Sequence, residues 1–508
     1  MARFYIENFG CRATQADGAA LERQFLERGL ERVSAARDAE IVVLNTCTVT
    51  EGADKDARAS IRRLQRVNPD CRILVTGCYA QRAPEELAAL PGVTWVVGNS
   101  HKHQAAEIAT SSCSWSSAGS SSSSGFVPLG QLSNDQLWKR LSGDQSANVI
   151  VGDIFAHTEL LAAPVFEAAN ERTRPNLKVQ DGCDNRCSFC VIPYVRGQSR
   201  SLPKERVIAE VGTLVEAGYR EVVISGINLG RWGRDLEEVV GRQSLIVGEQ
   251  EPLRSGHSSR EPASHPEPPT TNDQRLESLI RAVLDQTSLE KLRISSVEPM
   301  DWSDDLIGLV SASGRIAKHA HVPMQSGSDA VLRRMHRKYR PWHYREKILK
   351  IRTAMPTAAI GADVMVGFPG ETEAEFDETR RMIEELPFTY LHVFTYSPRP
   401  GTPAAEQPRQ VPVAVARERN RGLREIASKK KRAFMRSQVG TAVEAITLQS
   451  GEAEFTEALT DNYLKMKISG HHAANRWLDV EVEGVDGEMF LGNPVVDPGH
   501  ERTAAARQ

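Results

Sequence analysis

The sequence predicts a mixed α/β protein in three parts: an N-terminal α/β domain on a parallel sheet, a central partial (β/α)6 barrel, and a small all-β barrel at the C-terminus. Three observations predict it. Residues 1–108 alternate short β-rich runs with helical patterns, the mark of parallel strands joined by crossover helices. The alternation resumes at Asn176 and repeats six times, as a partial barrel requires. After residue 436 it gives way to short β-like runs separated by turns rich in Gly, Asp and Asn.

Taken in order, the expected N-terminal strands are Arg3–Asn8, Glu40–Asn45, Arg72–Thr76 and Thr94–Val97, with helices at Ala16–Arg28 and Asp54–Arg66. Residues 110–125 are Ser-rich and low in complexity, so they cannot bury enough apolar area to offset their ordering entropy. We place a linker or insertion over 109–168. The barrel spans 169–408, with expected strands Leu177–Gln180, Glu221–Ser225, Lys291–Ser295, Lys318–Val322, Ala359–Val366 and Tyr390–Tyr396. Its helices are expected at Pro203–Ala217, Arg275–Gln286, Asp329–Met335 and Glu373–Leu386. The stretch 237–274, rich in Pro, Ser, Gly and charge, reads as an inserted surface loop. A basic helix within 409–436 carries nine Lys/Arg against two Glu over 417–436. The last part, 437–500, is expected to hold strands at Ala442–Leu448, Tyr463–Ile468, Trp477–Val482 and Met489–Leu491, ahead of a frayed end.

Composition narrows the function classes. Of 508 residues, 40% are hydrophobic and 25% charged, as in globular proteins. The net charge of −3 excludes a polycation, so any nucleic-acid binding must come from local patches. No apolar run approaches the ~20 residues of a membrane span, and MARFYIENFG lacks a signal-peptide pattern. A cytoplasmic location and no membrane partner are expected. Eight cysteines are few for this length and are not spaced as a disulfide framework, which favours metal ligands or buried thiols.

The sharpest motif is QDGCDNRCSFC, in which Cys183, Cys187 and Cys190 form C-x3-C-x2-C directly after an expected barrel strand. Three thiolates on one loop can hold three irons of a four-iron cluster and leave the fourth iron open. A structural zinc site would want a fourth Cys or His nearby, and none follows. Loops after barrel strands also gather where chemistry is done. Cys11, Cys47 and Cys78 are dispersed, but each lies just beyond the end of an expected strand. In a parallel sheet those ends share one edge, so the three thiols can converge. Three separate buried cysteines are the competing reading. Cys71, at the other end of its strand, and Cys113, in the Ser-rich segment, are expected to be non-ligands.

The C-x3-C-x2-C loop on a six-unit barrel resembles the radical S-adenosylmethionine (SAM) superfamily. With the dispersed triad and the C-terminal β domain, which looks like a TRAM domain, the chain resembles the methylthiotransferase family over most of its length. The resemblance implies two 4Fe-4S clusters and SAM, with Cys183, Cys187 and Cys190 holding the SAM-bound cluster and Cys11, Cys47 and Cys78 the other. It implies SAM contacts from Phe189, Ser225, Gly226, Glu298 and Gln325, and no catalytic residue beyond the cluster ligands. It also implies an electron donor such as flavodoxin or ferredoxin, and a sulfur donor.

The wording NTCTVTEGADKDAR, GCYAQ and VQDGCDNRCSFCVIPYVRGQSRS is similar to the MtaB-type branch, which acts on threonylcarbamoyladenosine at position 37, in the anticodon loop of tRNA. The isopentenyladenosine branch more often reads Ser-Val-Arg after NTC and has GCMAQ; the branch acting on a ribosomal-protein aspartate diverges further. An RNA partner also fits the basic helix and the stretch 332–352, which holds nine Lys/Arg and the aromatics Tyr339, Trp342 and Tyr344 as candidate stacking groups. The competing readings of that stretch are a solvated helix face and aromatic core anchors. Outside the family, an iron–sulfur electron carrier or a non-catalytic RNA-binding module are the alternatives.

Overall fold

In the computed structural model, residues 1–111, 147–157, 160, 174–236, 275–449 and 454–495 are described. The expectations for Cys113, for most of the 109–168 segment, for the 237–274 insertion and for the chain end fall outside them. The described chain forms two compact units. One comprises residues 1–163, 184–198 and 397–405; the other comprises 164–183, 199–396 and 406–508.

The first unit is built on a six-stranded sheet: β1 (Arg3–Asn8), β2 (Glu31–Arg32), β3 (Ile41–Thr46), β4 (Arg72–Gly77), β5 (Val93–Val97) and β6 (Asn148–Ile150), in the order β2-β1-β3-β4-β5-β6. Every neighbouring pair is parallel. β3 is buried at all six positions, as a central strand covered on both faces must be. Val42, Leu44, Ile73 and Val75 face one core layer with Ile61 and Leu64 of the helix Glu51–Val67. Ile41, Val43 and Leu74 face the other, with Leu21 and Phe25 of the helix Arg12–Glu27. Thr50 starts the Glu51–Val67 helix by accepting a hydrogen bond from Ala53 N.

The second unit contains the barrel. β7 (Asn176–Asp181), β9 (Glu221–Gly226) and β10 (Lys291–Ile294) are parallel, with β8 (Arg200–Ser201) antiparallel at the outer edge of β7. β11 (His319–His321), β12 (Ala359–Val366) and β13 (Tyr390–Thr395) form a second parallel sheet. The bridges Leu292↔Ile316 and Ser296↔His321 link the two, so six parallel strands run in chain order and the curve stays open. β14 (Ala442–Thr447), β15 (Phe455–Thr460), β16 (Lys465–Ser469), β17 (Trp477–Asp486) and β18 (Met489–Pro494) form a closed barrel. It docks on the strand starts of the open barrel. Lys291 Nζ donates to Glu444 at 2.7 Å, and Arg293 Nη1 donates to the Asp461 carbonyl at 2.9 Å. The fold class is the expected one. β15 (FTEALT) was not anticipated, because it is short and half of it is Glu, Ala and Leu rather than β-branched or aromatic residues.

Candidate functional site

The dispersed cysteines owe their grouping to strand order. β1, β3 and β4 are consecutive neighbours in the sheet. Cys47 is the first residue after β3, Cys78 the first after β4, and Cys11 lies three beyond β1. Adjacent strands run roughly 4.8 Å apart, so residues just past their ends are brought side by side. Two glycines make the approach possible. Gly10 has φ +94°, and a Cβ there would lie 2.5 Å from Cys47 Cβ and 2.8 Å from its Sγ. Gly77 has φ +101°, and a Cβ would lie 2.3 Å from the Thr46 carbonyl oxygen.

The thiols act as one electrostatic group. The Cys47 thiol donates to Cys11, which holds Cys11 well below the ordinary thiol range; nearby Arg196 adds to the effect. Cys47 is pushed up by that same hydrogen bond, by burial and by the neighbouring Cys78. Cys47 and Cys78 are buried and Cys11 is exposed. Among the described residues, no three His, Cys, Asp or Glu side chains are arranged to hold a single metal ion. A cluster places each thiolate on a different iron, and a convergent, mostly buried thiol set with a glycine-lined approach fits that group. Cys71 lies at the opposite end of β4, in the core.

Buried charge and amides surround this edge. Asp17 Oδ2 accepts from Lys102 Nζ at 3.0 Å and from Arg196 Nη2 at 2.9 Å, and all three side chains are about 2% exposed. Lys102 also donates to Asn45 at 3.2 Å. Asn99 Nδ2 donates to the Val195 carbonyl at 2.7 Å and lies 3.5 Å from Cys78 Sγ. Cys78 packs against Val191 and Val195, just after Cys190 in the sequence. On the other side Asp54 is paired with Arg82 and Arg399, and Thr48, next to Cys47, donates to Asp54 at 2.6 Å. None of these polar residues was singled out from the sequence. Apart from the Thr48–Asp54 bond, their partners lie 21 to 345 positions away, and no local spacing signals them.

The second cysteine loop leaves β7 through Gly182, whose N–H is held by the Asp181 carboxylate at 2.8 Å. Gln180 Nε2 donates to the carbonyls of Asp181 and Gly182, both at 2.9 Å, and its Oε1 accepts from Asn228 N at 2.7 Å. Cys183, Cys187 and Cys190 are half-buried, as is Phe189, and Cys190 N closes a turn onto the Cys187 carbonyl at 3.1 Å. Asn228 Nδ2 lies 3.8 Å from Cys183 Sγ.

The other expected contact residues lie at or just beyond barrel strand ends. Ser225 and Gly226 end β9, and Ser295 follows β10. Ser225 Oγ, Asn228 Oδ1 and Ser295 Oγ are buried and have no hydrogen-bond partner among the described residues. Buried polar atoms are rarely left so, and three of them at neighbouring strand ends make a cradle fit for a polar ligand such as SAM. Glu298 is ion-paired with Arg337, and burial pushes its carboxyl above the ordinary range against that cation's pull. Gln325 is held at φ +62°, its N–H donating to the Asp363 carbonyl and its own carbonyl accepting from Met365 N, both at 2.8 Å. A Ser296–His321–Asp363 chain crosses three neighbouring strands, with separations of 2.6 and 3.4 Å, and no local spacing links the three residues.

One stacking expectation is overturned. Tyr339 and Tyr344 are buried, and their hydroxyls donate to the Met324 and Val322 carbonyls at 2.6 and 2.7 Å. Both are core anchors; Trp342 alone of the three is exposed. The basic helix spans Val413–Arg436. It buries Ala416, Leu423, Ala427 and Met435, while Arg417, Arg421, Arg424, Lys429, Arg432 and Arg436 remain exposed. No described helix is long and apolar enough to cross a membrane.

Residues 3–98 match the family model described as uncharacterized protein family UPF0004, and residues 177–383 match the radical SAM superfamily. The chain is 34% identical over 474 residues to the threonylcarbamoyladenosine tRNA methylthiotransferase MtaB of Bacillus subtilis, covering 92% of this chain and 91% of that protein. It is 32% identical to the protein of the same name from Aquifex aeolicus, covering 94% and 98%. A tRNA-2-methylthio-N(6)-dimethylallyladenosine synthase of Erythrobacter litoralis is 31% identical, with 88% and 87% covered.

Proposed function

The chain belongs to the radical-SAM methylthiotransferase family, and from that premise we propose that it methylthiolates carbon 2 of threonylcarbamoyladenosine at position 37 of tRNA. The family uses SAM and two 4Fe-4S clusters. When bound, these supply the radical that opens the carbon–hydrogen bond, the sulfur and the methyl group.

The chain's own residues bind, orient and enclose them. Cys183, Cys187 and Cys190 hold the SAM-binding cluster, and Cys11, Cys47 and Cys78 hold the other. Ser225, Asn228 and Ser295 offer the unpartnered oxygens that SAM's amino and hydroxyl groups would satisfy. Gly226, Glu298, Gln325 and Phe189 are the further SAM contacts of this reading, with Glu298 available to accept a hydrogen bond from a ribose hydroxyl. The exposed cations of the Val413–Arg436 helix meet tRNA phosphates, and the C-terminal barrel presents the anticodon arm. The parts that carry these roles are residues 1–108, 169–408, 409–436 and 437–500. A cytoplasmic location, a flavodoxin- or ferredoxin-like reductant and a separate sulfur donor complete the reading.

The observation that carries it is a pair of three-cysteine sets, one gathered by strand order and one by a loop, in a chain 34% identical to a protein named for this substrate. The dimethylallyl-type relative supports a second substrate reading. Mass spectrometry of tRNA nucleosides separates them. Cells lacking the protein should lack 2-methylthio-threonylcarbamoyladenosine and regain it with the wild-type chain but not with Cys187→Ala. Restoration of the 2-methylthio-isopentenyl nucleoside, or a methylthio group on a ribosomal-protein aspartate, would assign the other branches.

A further inference from the structure

We propose that Asn99 is a positioning residue for the N-terminal cluster: its amide donates one N–H to the sulfur of Cys78, stabilises the more reduced cluster, and so raises its reduction potential. The inference rests on Cys11, Cys47 and Cys78 being cluster ligands. Asn99 is 8% exposed, and its Nδ2 lies 3.5 Å from Cys78 Sγ and 2.7 Å from the Val195 carbonyl. A primary amide has two N–H groups, so both contacts can be made at once. The short contact to a carbonyl also fixes which end of the amide is nitrogen, since oxygen there would face an acceptor. The geometry therefore locks a donor toward the sulfur from two directions. Val195 holds the amide on one side, and Asn99 itself opens the short helical turn Asn99–Gln104 after β5 on the other.

Donors to ligand sulfur are one of the levers that set an iron–sulfur potential, because they offset the negative charge that reduction adds. Around this site the lever is strengthened by burial: Cys78 is 2% exposed, so water does not compete for its sulfur. Asn99 follows Gly98 at the end of β5, the strand next to β4, so sheet order again brings it beside Cys78.

The test uses the full chain carrying Cys183→Ala, Cys187→Ala and Cys190→Ala, reconstituted anaerobically so that only the N-terminal cluster is present. Its midpoint potential is read by redox titration followed by electron paramagnetic resonance, alone and with Asn99→Leu or Asn99→Ala added. Leu keeps the volume without the donor, and Ala removes both. Iron content and thermal unfolding are recorded alongside. We expect both variants to keep about four irons and to shift the potential to more negative values by similar amounts. Unchanged potentials with iron retained would overturn the inference while leaving the cluster in place. A shift in Asn99→Ala alone would assign the effect to lost packing and overturn it as well. A parent chain that takes up no iron would overturn the ligand assignment of Cys11, Cys47 and Cys78, and this inference with it.

Discussion

Replacing Asp17 with Asn should markedly loosen the first unit. One carboxylate oxygen serves both Lys102 and Arg196, at 3.0 and 2.9 Å, and none of the three side chains meets solvent. Removing the charge takes from two buried cations the carboxylate that they share. Breaking a buried pair by deleting one partner costs about 3–5 kcal/mol, because the remaining charge stays desolvated. Here two cations lose the same carboxylate, so the upper half of that range is expected. Arg196→Met is the control: Asp17 and Lys102 remain one to one, and the loss is a single charged hydrogen bond, about 1.5–3 kcal/mol. Hydrogen exchange of the slowest β3 amides, in the metal-free chain so that cluster binding adds nothing, reads the difference directly. At about 1.4 kcal/mol per tenfold, Asp17→Asn should speed that exchange by roughly 10³–10⁴-fold. Protection within threefold of wild type, or a larger effect from Arg196→Met than from Asp17→Asn, would refute the reasoning.

Three further outcomes are expected. Gly10→Ala should lower iron content toward one cluster per chain, because its Cβ would overlap Cys47 and its φ is positive; iron and sulfide analysis checks this. In the metal-free chain Cys11 should react with iodoacetamide ahead of Cys47. The thiolate is the nucleophile, so a lowered pKa keeps Cys11 reactive as pH falls below the ordinary thiol range, while Cys47 stays protonated; peptide mass spectrometry across pH reads the order. For Glu298 the folded carboxyl titrates above the unfolded one, so its contribution favours folding below the unfolded value near 4.5 and is lost as pH rises through the folded one. Urea unfolding of wild type and Glu298→Gln should therefore show the difference moving against wild type from pH 4 to pH 7.

The fold was legible where the pattern is local. The six barrel strands and the first unit's alternation follow from apolar runs such as Ile41–Thr46, buried at every position. The grouping of Cys183, Cys187 and Cys190 is visible in the sequence because their spacing is local. Cys11, Cys47 and Cys78 needed the topology: only the order β1-β3-β4 turns three distant strand ends into neighbours. Asp17, Asn99, Lys102, Arg196 and Arg399 were not legible, since a buried ion pair or amide hydrogen bond is made by tertiary placement and leaves no period in the sequence. The stretch 332–352 misled in the opposite direction. Its basic and aromatic composition resembles a nucleic-acid surface, yet Tyr339 and Tyr344 sit in the core with their hydroxyls on backbone carbonyls.

Iron counting on anaerobically reconstituted chains is the most direct trial of two separate three-thiolate sites. We expect about eight irons per wild-type chain, and about four after alanine replaces either Cys11, Cys47 and Cys78 or Cys183, Cys187 and Cys190. A wild-type chain that holds only about four, with no loss when the first three are replaced, would contradict it.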